Sequence, residues 1–195
     1  MKKIPTLLIR NPENPGEVLH EVTPGCEWVL AGHGIATRKY DGVCTLLDAD
    51  GVWFARREVK PDRPTPEGFV LTETDPATGK SVGWVPIAMS GHAKWHADAL
   101  TVREKRGLGP LEAGTYELVG PRVNGNPERY DHHTLIAHAN AQVIGLADWE
   151  TTDVTDDDYG GLRSTLLGLD EFGYEGIVWH HPDGRMAKLK ARDFR

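Results

Sequence analysis

Short apolar runs separated by turn residues make up most of the chain. Residues 43–47 and 52–57 lie on either side of an Asp-Ala-Asp-Gly turn, which predicts a β-hairpin. A second hairpin is predicted where Asp183-Gly184 separates residues 174–180 from residues 186–190. The other predicted strands cover residues 4–10, 27–30, 35–38, 84–87, 115–119, 134–138 and 143–146.

Helical spacing of apolar residues occurs in two segments. Residues 91–106 place apolar and aromatic side chains three or four positions apart, and Gly107 is a suitable stop. Residues 160–173 carry four leucines in a helical pattern. Two helices among many short strands predict an α+β fold of antiparallel β-sheets with flanking helices, in a single domain over residues 1–195.

The composition is that of an ordinary globular protein of 195 residues, with 39% hydrophobic and 26% charged positions. A formal net charge of -7 argues against a protein that coats nucleic acid by bulk electrostatics. Local basic clusters at residues 56–63, 103–106 and 185–195 are compatible with an anionic ligand held on one side. No stretch has the length of a membrane span and residues 1–10 lack a secretion signal, so a cytoplasmic protein without membrane contact is expected.

Lys39-Tyr40-Asp41-Gly42 lies between two predicted strands. Asp and Gly favour turns through local hydrogen bonding and backbone freedom, so one interpretation is a plain β-turn beside a solvated lysine. The other interpretation makes Lys39 a reactive amine presented by that turn. The rest of the chain decides between them.

Two further segments place charge within apolar strands. Strand alternation puts Lys188 and Lys190 on one face of the last predicted strand and Leu189 on the other. Adjacent ammonium groups repel each other unless an anion lies between them, although lysines also protect exposed edge strands from aggregation. Glu117 interrupts another apolar strand, either facing solvent or serving a ligand.

Four short segments in order resemble motifs I, III, IV and V of the covalent nucleotidyltransferases, the superfamily of ATP-dependent RNA and DNA ligases and GTP-dependent capping enzymes. They are Lys39-Tyr40-Asp41-Gly42, Tyr116-Glu117-Leu118, Glu175-Gly176-Ile177-Val178 and Lys188-Leu189-Lys190. The resemblance spans roughly residues 30–191 and is closest to the small RNA ligases. It implies the ATP-grasp-like nucleotidyltransferase fold of a ligase adenylation domain.

The resemblance assigns the central chemistry to Lys39. Its amine would attack the α-phosphorus of ATP, expel pyrophosphate and form a lysyl-adenylate. Glu175 would organise Mg²⁺, or Mn²⁺, directly or through water, and would contribute to ATP binding. Lys188 and Lys190 would offset the negative charge of the phosphates.

The resemblance also gives expectations for the nucleoside and the nucleic-acid end. Glu117 would accept hydrogen bonds from the ribose hydroxyls. Arg57 would contact the nucleotide or the nucleic-acid end, with Arg56 as its competitor, since alternation puts the two arginines on opposite faces of a strand.

The chain departs from the superfamily pattern in two places. Residues 134–138 contain no Phe or Tyr to stack on the base, so Leu135, Ile136, His133 or His138 would have to take that role. The sequence also ends just past motif V, where DNA ligases and capping enzymes usually continue into an OB-fold. This favours a minimal RNA ligase.

Other candidate sites carry weaker patterns. His92 and His96 have the i, i+4 spacing of zinc ligands, but no third ligand is evident. The acidic cluster in residues 153–158 lacks the pattern of a calcium loop and is interpreted as a solvated loop. Trp53 and Trp95 are either core residues or stacking partners for an unpaired base.

The sequence therefore predicts an ATP-dependent RNA ligase that joins 5′-phosphate and 3′-hydroxyl ends through a lysyl-AMP at Lys39, with ATP and RNA ends as its partners. A DNA nick ligase or a GTP-dependent capping guanylyltransferase is the alternative within the superfamily. A protein that binds nucleotides or nucleic-acid ends without turnover is the alternative of another class.

Overall fold

A computed structural model describes residues 2–76, 78–145 and 156–195. In chain order, the strands of these residues are β1 (Leu8–Arg10), β2 (Val18–Val22), β3 (Ile35–Lys39), β4 (Val43–Leu47), β5 (Trp53–Val59), β6 (Val70–Thr74), β7 (Ser81–Pro86), β8 (Gly114–Val119), β9 (Thr134–Ala137), β10 (Gly176–His180) and β11 (Met186–Lys190). The α-helices of the same residues are α1 (Ala93–Lys105) and α2 (Asp156–Glu171).

The chain groups into two compact units. The first, here the six-stranded unit, comprises residues 1–3 and 41–140; the second, the three-stranded unit, comprises residues 4–40 and 141–195. The single adenylation domain over residues 1–195 stays a prediction.

The six-stranded unit is an antiparallel sheet in the order β6-β7-β5-β4-β8-β9. Asp48 makes the β4–β5 turn, because its Oδ1 accepts hydrogen bonds from the backbone N–H groups of Asp50 at 3.0 Å and Val52 at 2.8 Å. Helix α1 packs on one sheet face, where Ala99 joins Leu118 and Val123 in a buried cluster. The helix ends at Lys105, and the predicted stop Gly107 follows its cap with a φ of 64°, which suits a glycine after the last turn.

The three-stranded unit contains an antiparallel sheet in the order β11-β10-β3 and a separate two-stranded sheet of β1 and β2. One face of this sheet is apolar. Ile177 and Leu189 are fully buried there with Leu162 and Leu166 of α2, and each such side chain contributes roughly 1.5–3 kcal/mol to folding. Because side chains alternate, the opposite face carries the polar residues of β3 and β11.

The mixed α+β class with antiparallel sheets is confirmed, whereas the finer superfamily topology stays a prediction. Some local predictions are wrong. Residues 27–30 were expected to be extended, but Glu27–Val29 is a 3₁₀ turn with Trp28 and Val29 buried. Strands β2 and β6 have no predicted counterpart. Of the strand predicted at residues 143–146, Val143 forms an isolated bridge to Thr37, and residue 146 lies outside the described residues.

Two further expectations concern the acidic cluster and the absence of a membrane-spanning helix. Of the acidic cluster at residues 153–158, residues 153–155 lie outside the described residues, and residues 156–158 begin α2 rather than continuing a loop. Among the residues that the structure describes, neither helix has the length and apolar character that a membrane crossing requires.

Candidate active site

Three neighbouring strands align Lys39, Gly176 and Lys190 in one row of the three-stranded sheet. Gly176 of the central strand β10 is paired with Lys39 of β3 on one side and with Lys190 of β11 on the other. Residues paired in this way face the same side of an antiparallel sheet. Two strand spacings separate the lysine backbones by about 10 Å, and Gly176 places no side chain between them.

Glu175, the residue just before β10, places its carboxylate between the ammonium groups of the two lysines. One carboxylate oxygen, Oε2, accepts a hydrogen bond from Lys39 Nζ, and the other, Oε1, accepts one from Lys190 Nζ. The side chains are 20% exposed for Lys39 and 12% exposed for Glu175 and Lys190. The backbone carbonyl of Glu175 also accepts a bond from Ala191 N at 3.1 Å. We call these three residues the lysine–glutamate cluster.

Charge pairing governs the ionisation of this cluster. Burial opposes ionisation of Glu175, but the charges and hydrogen bonds of Lys39 and Lys190 outweigh it, so the pKa of the carboxyl lies below its usual value. Burial and the neighbouring charge of Lys39 lower the pKa of Lys190, and Glu175 only partly offsets them. One carboxylate thus serves two cations, and the cluster holds an excess of positive charge that suits an anionic ligand.

Gly176 is required by close packing. A Cβ at this position would lie 2.2 Å from the carbonyl oxygen of Leu189 and 2.8 Å from Cα of Lys190. Any side chain would therefore push β11 away from β10 and move Lys190. This gives the glycine after Glu175 a physical role in holding the cluster together.

Lys188 lies one step along the same face of β11. It is paired with Val178, and Val178 is paired with Thr37 of β3. The predicted alternation is observed, because Leu189 is fully buried while Lys188 and Lys190 are partly exposed. The backbone of Lys188 is fixed by hydrogen bonds to Pro5 O at 3.0 Å and from Leu7 N at 2.8 Å.

Arg38 forms a contact that sequence reasoning missed. Its guanidinium lies over the ring of Tyr174, 4.0 Å from the centroid, and over Tyr40, 4.9 Å from the centroid. Tyr40 follows Lys39, and Tyr174 precedes Glu175. Arg38, stacked on both tyrosines, therefore links the segment that carries the Lys39 amine to the segment that carries the Glu175 carboxylate. Two tyrosines separated by more than a hundred residues give no local signal of this pairing.

Glu117 of the six-stranded unit is buried, with 9% of its surface exposed. This excludes the interpretation in which its carboxylate faces solvent. Its Oε1 accepts a bond from Gly42 N at 3.1 Å, and its Oε2 lies 3.0 Å from His138 Nε2. His138 Nδ1 in turn lies 3.0 Å from Thr115 Oγ1. The histidine considered for base stacking is therefore a partner of Glu117.

Asp41 and Gly42 are held by the six-stranded unit. Asp41 N donates to Glu128 Oε1 at 2.8 Å, and Asn124 Nδ2 donates to Asp41 Oδ1 at 2.8 Å and to Gly42 O at 3.0 Å. A Cβ on Gly42 would lie 2.3 Å from Leu118 O. The segment after Tyr40 is thus fixed by buried carboxylates and close packing rather than being a simple surface turn, and Glu128 was not foreseen.

The strand register separates Arg56 from Arg57. Thr45 is paired with both Ala55 and Tyr116, so these three side chains share one face of the sheet. Glu117 follows Tyr116 and therefore lies on the other face. By the same alternation, Arg56 lies on the face of Glu117 and Arg57 on the face of Ala55.

The surroundings of the two arginines agree with this division. Arg56 buries Nε and Nη2 with no hydrogen-bond partner among the described residues. Arg57 lies near α1, since its charge adds to burial in lowering the pKa of His92. Arg57 as an ATP-binding residue stays a prediction, and the register favours its competitor.

The ligands of a metal centre would come from His, Cys, Asp and Glu side chains. Among residues 2–76, 78–145 and 156–195, no group of three or more His, Cys, Asp or Glu side chains is placed to hold a metal ion. His96 is 3% exposed and packs edge-on against Trp53, with ring centroids 4.5 Å apart, which makes it a core residue rather than a zinc ligand. Glu175 as a metal-organising residue stays a prediction.

Comparison with known proteins gives relatives that match part of the chain. No protein-family model matches it. The chain is 29% identical to "RNA ligase 1" of Rattus norvegicus over 161 residues, covering 65% of this chain and 47% of that protein. It is 28% identical to "RNA ligase 1" of Pongo abelii with the same coverage. The chain thus spans about half the length of the curated relatives it matches.

Proposed function

We propose that this chain is an ATP-dependent RNA ligase of the covalent nucleotidyltransferase superfamily, with Lys39 as the residue that carries AMP. The observation that carries the proposal is the placement of Glu175 between Lys39 and Lys190 on neighbouring strands. The motif order in the sequence and the similarity to proteins named RNA ligase 1 support the same assignment.

In the first step, the lone pair of the Lys39 amine attacks the α-phosphorus of ATP. A nitrogen–phosphorus bond forms, the bond between the α-phosphorus and the bridging oxygen breaks, and pyrophosphate leaves with that electron pair. The ammonium must lose its protons for this attack, and they pass to solvent and to pyrophosphate. Glu175 holds Nζ in place through its hydrogen bond until the phosphate arrives.

In the second step, an oxygen of the RNA 5′-phosphate attacks the same phosphorus, and AMP moves from lysine to RNA as a 5′-5′ anhydride. In the third step, the RNA 3′-hydroxyl attacks the activated 5′-phosphate, and AMP departs as the leaving group. Splitting the reaction in this way uses the energy of ATP to create a good leaving group at each stage. The Lys39 amine is regenerated after the second step.

Lys190 and Lys188 supply positive charge on the Lys39 face of the sheet. We assign them to the phosphates, whose negative charge increases on the departing oxygen. Because Lys190 is already partly buried and bonded to Glu175, it is oriented before the nucleotide binds. Preorganised charge of this kind lowers the barrier more than charge that must be gathered during the reaction.

Glu175 would hold a magnesium ion through water rather than directly. Both carboxylate oxygens are engaged by lysines, and Mg²⁺ on nucleotide phosphates usually keeps several waters and uses one or two protein carboxylates. Such an ion would supply further neutralisation of the phosphates.

In the six-stranded unit, Glu117 is assigned to the ribose hydroxyls. Its carboxylate is fixed by Gly42 N and His138, and each carboxylate oxygen retains a second lone pair for a donor from the ligand. Arg56, with two buried nitrogens that lack a partner among the described residues, is the arginine we assign to an anionic group of the nucleotide or RNA.

Covalent labelling tests the proposal. The protein is incubated with Mg²⁺ and ATP or GTP labelled on the α-phosphate, then separated by denaturing electrophoresis. We expect label from ATP to remain on the protein and to be released on addition of RNA with a 5′-phosphate. Label from GTP alone would point to a capping enzyme, release by nicked DNA alone to a DNA ligase, and no label to a binding protein without turnover.

A further inference from the structure

A cleft in the six-stranded unit lies between the last turns of α1 and the segment that enters β9. It is a shallow, open groove with a cavity volume of about 50 Å³, below the range of enclosed small-molecule sites, so a ligand would lie along its surface. Val102 of α1, Leu108 and Leu135 form an apolar floor. Leu108 is 53% exposed, so this floor offers apolar surface that a flat ligand would cover.

Arginine side chains line one wall of this cleft. Arg103 and Arg106 both line it, and neither is ion-paired with a carboxylate in the described part of the chain. Arg103 is held in place, because its Nε and Nη2 donate to Gly109 O at 3.0 and 2.7 Å. Cations at a helix C-terminus also offset the helix dipole. An anion bound here would rely on these arginines, since the dipole itself disfavours it.

Two histidines also line the cleft, and one of them stacks on a neighbouring aromatic ring. His132 and His133 line the cleft, and the His133 ring stacks on Trp95 with centroids 5.0 Å apart and planes 20° apart. His133 Nδ1 lies 3.6 Å from Asp98 Oδ2, and its Nε2 is buried with no hydrogen-bond partner among the described residues. Lys94 Nζ lies 4.9 Å above the Trp95 ring, which extends the basic and aromatic character beyond the cleft.

We propose that this cleft binds a nucleotide of the RNA strand, with its base on the apolar floor and its phosphate on Arg103 and Arg106. Apolar or aromatic surface beside cations is the combination with which proteins hold single-stranded nucleic acid. Arg103 and Arg106 are three positions apart and both line the cleft, so the two cations lie on one side of the helix end and can contact the same strand. The inference rests on the proposed function for the identity of the ligand, and it adds a site for gripping the substrate.

RNA binding tests the inference independently of ATP. A fluorescent single-stranded RNA with a 5′-phosphate is titrated with the full chain at several salt concentrations, and anisotropy gives Kd. We expect Arg106→Glu to raise Kd about tenfold or more and to reduce the slope of log affinity against log salt by about 0.7, the value for one phosphate contact on a single strand. Leu108→Ser removes exposed apolar surface from the cleft floor but no charge. It should therefore raise Kd without changing the slope of log affinity against log salt.

Arg163→Glu serves as the matched control, because Arg163 is exposed on α2, outside the basic clusters, and undergoes the same reversal of charge, and it should bind RNA as wild type does. Wild-type Kd and salt slope in both Arg106→Glu and Leu108→Ser would overturn the inference and leave the cleft to another kind of partner, as would a wild-type chain that binds no RNA. ATP labelling of the wild type is measured separately. Its absence, with RNA binding still lost in Arg106→Glu, would reject the ligase and keep the RNA site.

Discussion

Lys39→Arg is expected to reduce covalent labelling by ATP at least about a thousandfold, the scale of losing a nucleophile. Arginine keeps a positive charge and a donor for Glu175, so the charge balance of the lysine–glutamate cluster is retained. Its guanidinium stays protonated and cannot take the place of the amine. A time course of label per mole of protein, resolved by denaturing electrophoresis, measures the effect.

Lys60→Arg provides the control for the same substitution. Lys60 is exposed just after β5, and its variant should label at the wild-type rate. Thermal melting of both variants separates loss of chemistry from loss of fold. Labelling of Lys39→Arg at a tenth of the wild-type rate or more would mean that another group carries the nucleotide.

Glu175→Gln is expected to lower both stability and labelling. A neutral amide cannot balance Lys39 and Lys190, and breaking a largely buried ion pair lowers the free energy of unfolding by about 3–5 kcal/mol. We expect labelling to fall at least about a hundredfold, because Lys39 loses the group that orients its amine. Urea denaturation gives the first quantity, and the labelling rate under folded conditions gives the second.

The pH dependence of this difference has a definite sign. Because Lys39 and Lys190 hold the pKa of Glu175 below its usual value despite burial, the stabilisation is complete above the unfolded pKa of about 4.3. It is lost as pH falls through the lower pKa of the folded state. The stability gap between wild type and Glu175→Gln should therefore be constant near neutral pH and shrink below about pH 4.

Glu58→Gln is the matched control for the stability measurement. Glu58 pairs with Lys80 at 3.0 Å, with side chains 47% and 37% exposed, and exposed pairs of this kind contribute about 0–1 kcal/mol. Equal losses of stability in the two variants would mean that the cluster is an ordinary surface ion pair. Wild-type labelling by Glu175→Gln would remove Glu175 from the mechanism.

Local pattern was enough to predict the strands that carry the candidate site. Alternation within residues 186–190 predicted that Leu189 would be buried and the lysines would share a face, and the register agrees. The order of the motifs suggested that Lys39 and Glu175 belong together, although only pairing of β3 with β10 brings them into contact.

Other features depend on tertiary packing that no local pattern encodes. The buried Glu128 that fixes Asp41 N lies 87 residues away in sequence. Alternation separated Arg56 from Arg57, but which of them shares the face of Glu117 follows from the register of β4 with β5 and β8. The segment at residues 27–30 looked extended because Trp and Val favour strands, yet burial of Trp28 is achieved in a 3₁₀ turn.

Two amines of the lysine–glutamate cluster are candidates for the attack on ATP, because Glu175 contacts both Lys39 and Lys190. Burial and the charge of Lys39 lower the pKa of Lys190, so Lys190 is the natural rival as nucleophile. The most direct test is therefore to incubate the protein with ATP and Mg²⁺, digest it under conditions that preserve the phosphoramidate, and locate AMP by mass spectrometry. We predict AMP on Lys39, whereas AMP on Lys190 or Lys188, or no adduct at all, would contradict the proposed role of Lys39.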